Sequence, residues 1–130
     1  MRSKPFVVLT LAMGFIVGSD PMLAHHAGTI YDTEHKITLT GTVTSFELVN
    51  PHARIFFVVK DENGVETPWV GGAGAVMRMV RIHGWRRDSL KPGDTITVTG
   101  SPLRSGKKGE LRIKTVVMPD GKIFNTGAEQ

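Results

Sequence analysis

Cysteine is absent from the 130 residues. No disulfide can brace the fold and no thiolate can hold a metal, so burial of apolar side chains must carry stability alone. Aromatic residues are few, with two tryptophans, one tyrosine and six phenylalanines. That scarcity argues against a single-stranded nucleic-acid binder, which stacks bases on exposed rings. No serine–histidine–acid signature, phosphate loop or paired-histidine metalloprotease motif is present, so no enzyme chemistry is visible. Neither a repeat of about 20–50 residues nor a low-complexity stretch occurs.

Long apolar runs are also lacking, with one exception at the amino terminus. Arg2 and Lys4 precede an apolar stretch over residues 6–17, then Gly18-Ser19-Asp20-Pro21 and the small residue Ala24. A positive start, an apolar middle of about 7–15 residues and a small residue before the cut make the order of a secretory signal. The apolar part is shorter than the roughly 20 residues that span a bilayer, so a retained anchor is disfavoured and no stable span is expected after processing. A signal peptide over 1–24 is expected, with a cut after Ser19 as the alternative because Met22 is large for its place. Export without disulfides suits a periplasmic or secreted protein.

Beyond the leader, residues 25–36 read as an N-terminal segment and 37–124 as one domain, with 125–130 as a tail. Ile37, Leu39, Gly41 and Val43 alternate with Thr38, Thr40, Thr42 and Thr44, the mark of a half-buried strand. Phe46 and Leu48 fall on the opposite parity, which predicts a bulge near Thr44-Ser45 that bends the strand. Arg54 to Lys60 makes a second strand, and Asp61-Glu62-Asn63-Gly64 a hairpin turn. The return strand carries Val65, Thr67 and Trp69, with Pro68 marking an edge, and Gly71-Gly72-Ala73-Gly74 is expected to break it. Val76, Met79, Val80 and His83 recur at helical spacing, and Gly84 stands where a helix stops. Two strands follow, around Ile96 and Val98 and from Leu111 to Val117. Three strands, a short helix and two strands predict an all-β fold with one short helix, a small five-stranded OB-like barrel.

The blocks Ala24-His25-His26-Ala27, Leu39-Thr40-Gly41-Thr42-Val43, Asn50-Pro51-His52-Ala53 and Gly84-Trp85-Arg86-Arg87-Asp88 resemble a widespread group of uncharacterised exported bacterial proteins. The resemblance covers nearly all of the chain after the leader. It implies a small periplasmic barrel without an assigned activity.

Five histidines are the candidate chemical groups: His25, His26, His35, His52 and His83. If the signal is cut after Ala24, His25 offers its free amine and its ring to one metal, and His26, His35 or His52 adds a third nitrogen. Nitrogen-only tetragonal sets favour Cu(II), so His25, His26 and His52 are the metal candidates and copper the one cofactor to consider. The competing reading makes the paired histidines solvated, His52 a hydrogen-bonding residue at the Asn-Pro corner, and His83 a cap on the last carbonyls of the helix. Trp69 and Trp85 are assigned to the core. Arg78, Arg81, Arg86, Arg87, Lys91, Arg104, Lys107 and Lys108 read as a solvated basic face, and backbone amides of the glycine run offer a weak anion site. The favoured function is a non-enzymatic binding module for a small ligand or an envelope protein, with no nucleic acid. A copper-binding protein is the alternative.

Overall fold

A computed structural model describes residues 30–128. Within them the threonine-rich alternation becomes β1 (Ile37–Glu47), followed by β2 (His52–Lys60), β3 (Glu66–Ala75), α1 (Val76–His83), β4 (Thr95–Pro102), β5 (Glu110–Val117) and β6 (Ile123–Asn125). β1 serves two neighbours. Its first half pairs with β4, from Ile37↔Gly100 to Thr42↔Thr95, and its second half pairs with β2, from Thr42↔Val58 to Glu47↔Arg54. The register shifts between Val43 and Ser45, so the bulge expected from the change of parity sits where the strand passes from one partner to the other. An extra residue there bends the strand and keeps both halves facing one core.

β2 and β3 form an antiparallel hairpin whose turn is held by Asp61, with its Oδ1 accepting from the amides of Asn63 and Val65 at 2.9 Å each. β4 and β5 are antiparallel, and β3 pairs in parallel with β5 at Val70↔Glu110, Gly71↔Leu111 and Gly72↔Arg112. The ring β1–β2–β3–β5–β4 therefore closes. The protein is an all-β fold with one short helix, a closed five-stranded OB-like barrel. On the outer face, Thr38–Thr99 and Thr40–Thr97 join hydroxyls across the strands at 3.0 and 2.8 Å.

The expected break at Gly71-Gly72-Ala73-Gly74 does not occur; β3 runs through it. These glycines mark close approach instead. A Cβ on Gly71 would collide with the Ile113 side chain, and one on Gly74 with the backbone carbonyl of Thr126. With no Cβ, β3 can lie against β5 and the segment after it.

The core holds Val43, Ile55, Phe57, Met79, Trp85, Ile96, Val98, Leu111, Ile113 and Val116, all at 2 % exposure or less. Trp85 is fully buried and Trp69 is 8 % exposed, as the sequence reading assigns them. Trp85 donates its Nε1–H to the Asn125 carbonyl at 2.7 Å and packs between Phe46 and Phe124, with ring centroids 5.5 and 5.3 Å away. The stretch from Asn125, which reads as a tail, is stitched to the barrel. Asn125 pairs with Thr115, and the buried Thr126 donates its hydroxyl to the Ile113 carbonyl at 2.6 Å and its amide to Lys114 at 2.9 Å.

Candidate ligand site at the open barrel end

Of the five histidines, the three in the described residues, His35, His52 and His83, are dispersed. His25 and His26 lie outside the described residues. His52 opens β2, paired with Ala75, with its side chain exposed. It makes no hydrogen bond to the Asn-Pro corner, where the Pro51 carbonyl accepts instead from the Val76 amide at 3.2 Å. His35 lies at the far end of β1 and bonds Asp32 through Nδ1 at 2.9 Å. That contact, with backbone amides, holds the Asp32 carboxyl below its usual range. Among the described residues no three histidine or carboxylate side chains cluster to hold a metal. His83 does not cap α1 either. The helix end is closed by the amides of Gly84 and Trp85 donating to the Met79 carbonyl, with Gly84 in the left-handed conformation. The His83 ring packs against Gly127, where a Cβ would come within 3.2 Å of it.

α1 covers the end of the barrel where β1 finishes and β2 begins. Beside it runs a groove of about 480 Å³ lined by Leu48, Val49, Asn50, Val76, Val80, Arg86 and Arg87, over the buried Trp85.

The opposite end is open. There the start of β1, the end of β4 and the first half of β3 surround a cleft of about 490 Å³, lined by Ile37, Thr38, Leu39, Trp69, Pro102, Gly106, Lys107 and Lys108. Ile37 and Leu39 point inward because they share the parity of Val43, and they pack against the core while remaining half-buried. Trp69 faces the same space from β3, opposite Phe57 in the β2–β3 register. The β4–β5 loop forms the rim and is tied to the barrel at both ends. The Val70 amide donates to the Gly109 carbonyl at 2.9 Å, and the Arg104 amide donates to the Ile30 carbonyl at 2.8 Å.

A second brace comes from Tyr31, which bridges to Leu103 and donates its hydroxyl to Glu110 Oε1 at 2.7 Å. Burial, followed by this bond and the Glu110 charge, pushes the Tyr31 phenol up to about 12. The Arg104 guanidinium is engaged with the Tyr31 carbonyl at 3.0 Å. That leaves Lys107 and Lys108 as the charges facing the cleft. Neither has a carboxylate partner among the described residues, and the lining contains no acid.

An apolar pocket of this size with a few convergent polar groups is the common form of a small-molecule site. Thr38 supplies the only hydroxyl of its lining, and that group bonds Thr99. The lining thus combines apolar surface with two ammonium groups.

Residues 14–112 match DUF6152, a family of unknown function. The chain belongs to that family. The DUF6152 match takes in β1 to β4 and α1 whole and ends within β5 at Arg112, so both barrel ends lie inside it. No curated protein and no solved structure matches the chain.

Proposed function

We propose that this member of the DUF6152 family is an exported, non-enzymatic binding module that takes a small amphiphilic anion into its open barrel end. The reading is carried by one observation: an apolar cleft floored by Ile37, Leu39 and Trp69 whose only charged lining residues are Lys107 and Lys108. An apolar chain ending in a carboxylate matches both parts. Its hydrocarbon covers surface that water otherwise wets, at about 25 cal/mol per Å², and its head meets the two ammonium groups. Action outside the cytoplasm, in the periplasm or after secretion, is supported by the signal order of residues 1–24.

Dodecanoate is a suitable probe, with tryptophan emission as the readout. Trp85 is sealed in the core, so a saturable change should come from Trp69 and disappear in Trp69→Phe. Lys107→Gln with Lys108→Gln should weaken dodecanoate severalfold, the modest size expected of solvent-screened charges. Binding of dodecanol should be unaffected by that pair. An emission unchanged by dodecanoate, or a change that survives Trp69→Phe, refutes the site. Mass measurement of the exported protein tests the compartment: an intact leader on cytoplasmic protein removes that part of the reading.

A further inference from the structure

A different surface, at the opposite end of the barrel, has a composition the ligand cleft does not explain. Successive residues of an α-helix turn by about 100°. On α1 this places the fully buried Met79 and the half-buried Val76 and His83 on the inner side. The outer side should then be polar, as on an ordinary surface helix. Instead it presents Met77 at 53 % exposure, Val80 at 44 % and Ile82 at 68 %, interleaved with Arg78 and Arg81. Val49, at 63 % exposure, extends the apolar surface across the neighbouring groove, whose far wall carries Arg86 and Arg87.

α1 contains no carboxylate, and none lines the groove. Asp88, which follows the two arginines, is paired with Arg86 at 3.3 Å. Among the described residues the face is therefore apolar and cationic together, with no acidic side chain of α1 or of the groove lining within it.

We propose that this end of the barrel docks onto an anionic lipid bilayer. The charge pattern complements acidic headgroups. The apolar side chains stand on both sides of the arginines along a convex helix, an order that suits a fluid interface better than a shaped protein pocket. In such a geometry Val49, Met77, Val80 and Ile82 enter the boundary between headgroups and acyl chains while the arginines stay at the headgroup level. Each arginine brought to an anionic surface multiplies affinity roughly fivefold. Docking by this end leaves the ligand cleft open at the other, and it does not depend on that cleft being occupied.

The test is sedimentation of the exported, processed protein with vesicles of phosphatidylcholine alone or mixed with phosphatidylglycerol. Processed protein is needed because an apolar leader would itself bind lipid, and the comparison among variants carries the result. Wild type should bind the mixed vesicles and not the neutral ones, with binding lost as salt rises. Arg81→Gln with Arg87→Gln should reduce partitioning at least tenfold, and Met77→Ser with Ile82→Ser at least fivefold. Both variants should melt like wild type, since all four side chains are exposed. Equal binding to neutral vesicles, no binding to either, or full binding by either double variant overturns the proposal. So does capture by polyglutamate without capture by vesicles, which would assign the face to an acidic protein.

Discussion

Trp85→Ala should be among the most damaging single substitutions in this chain. The side chain is fully buried, and truncation would leave a void between Phe46, Phe124 and the underside of α1. Removal of a large buried ring typically costs about 3–5 kcal/mol. Loss of the Nε1–H bond to the Asn125 carbonyl falls within that figure, at about 0.5–1.5 kcal/mol for a neutral hydrogen bond. Trp85→Phe separates the two effects. It keeps an aromatic ring between its neighbours but leaves the Asn125 carbonyl without its indole donor, so it should cost about 1–2 kcal/mol. Urea denaturation followed by circular dichroism measures both. With a slope of about 1.5 kcal/mol/M, the alanine variant's midpoint should fall by about 2–3 M. Net stabilities of single domains are about 5–15 kcal/mol, so the variant should be marginal but measurable. A loss below about 1 kcal/mol for Trp85→Ala would refute the packing argument and return this tryptophan to the surface.

Three further outcomes are expected. The single tyrosine allows a direct titration by ultraviolet absorbance: Tyr31 should ionise at about 12 rather than 10. Its folded state holds the proton more tightly than the unfolded chain, so this contribution to stability is complete below pH 10 and lost as pH climbs toward 12. Glu110→Gln should lower the value without restoring it to 10, because burial is the largest cause. At the barrel seam, Gly74→Ala should cost about 1–3 kcal/mol by overpacking against backbone. Gly71→Ala clashes with the Ile113 side chain rather than with backbone, so adding Ile113→Val should recover part of its loss in a double-mutant cycle. Additive losses would mean that the two residues do not share the space. If the mature chain begins at His25, Cu(II) affinity measured by titration should fall when an alanine is placed before it, and should weaken as pH drops through about 6.5. His52→Ala should leave that affinity unchanged. The segment entering at Ile30 is held beside Arg104, near the start of β1, whereas His52 lies past its end. The eleven residues of β1, at about 3.3 Å each, separate the two.

Much of the fold was legible because its local signals agreed. The threonine alternation of β1, the parity change at Thr44 and the Asp61 turn each follow from a period or a turn chemistry contained in a few neighbouring residues. The helix was equally plain, since Val76, Met79 and His83 fix its inner stripe and Gly84 its stop, but Val80, which the spacing puts on that stripe, is 44 % exposed. What could not be read was whatever depends on two distant segments meeting. Gly71 and Gly74 carry a local meaning of strand breaking, and only the approach of Ile113 and Thr126 reverses it. Ile123 and Phe124 follow an Asp-Gly turn and were a usable sign of β6, but three residues make a weak pattern beside a chain end. The candidate site was hidden for the same reason. Ile37, Leu39 and Trp69 each look like core, and Lys107 and Lys108 look like an ordinary turn; only the closed ring brings β1, β3, β4 and the loop before β5 around one space.

The seam also accounts for the opening itself. β3 and β5 pair only from Val70↔Glu110 to Gly72↔Arg112, although β3 begins at Glu66. Pro68 has no amide to extend the pairing, and the β4–β5 loop crosses at that level instead, touching β3 through the Val70–Gly109 bond. The first residues of β3 thus diverge from β5, and the inward faces of Ile37, Leu39 and Trp69 are left without a covering strand. A barrel paired along the whole of β3 would bury the half-buried Ile37 and Leu39 and close over the edge of Trp69. The same short seam that lets glycine close the ring at one level therefore keeps an apolar cleft at the next, with a lysine-bearing loop at its rim.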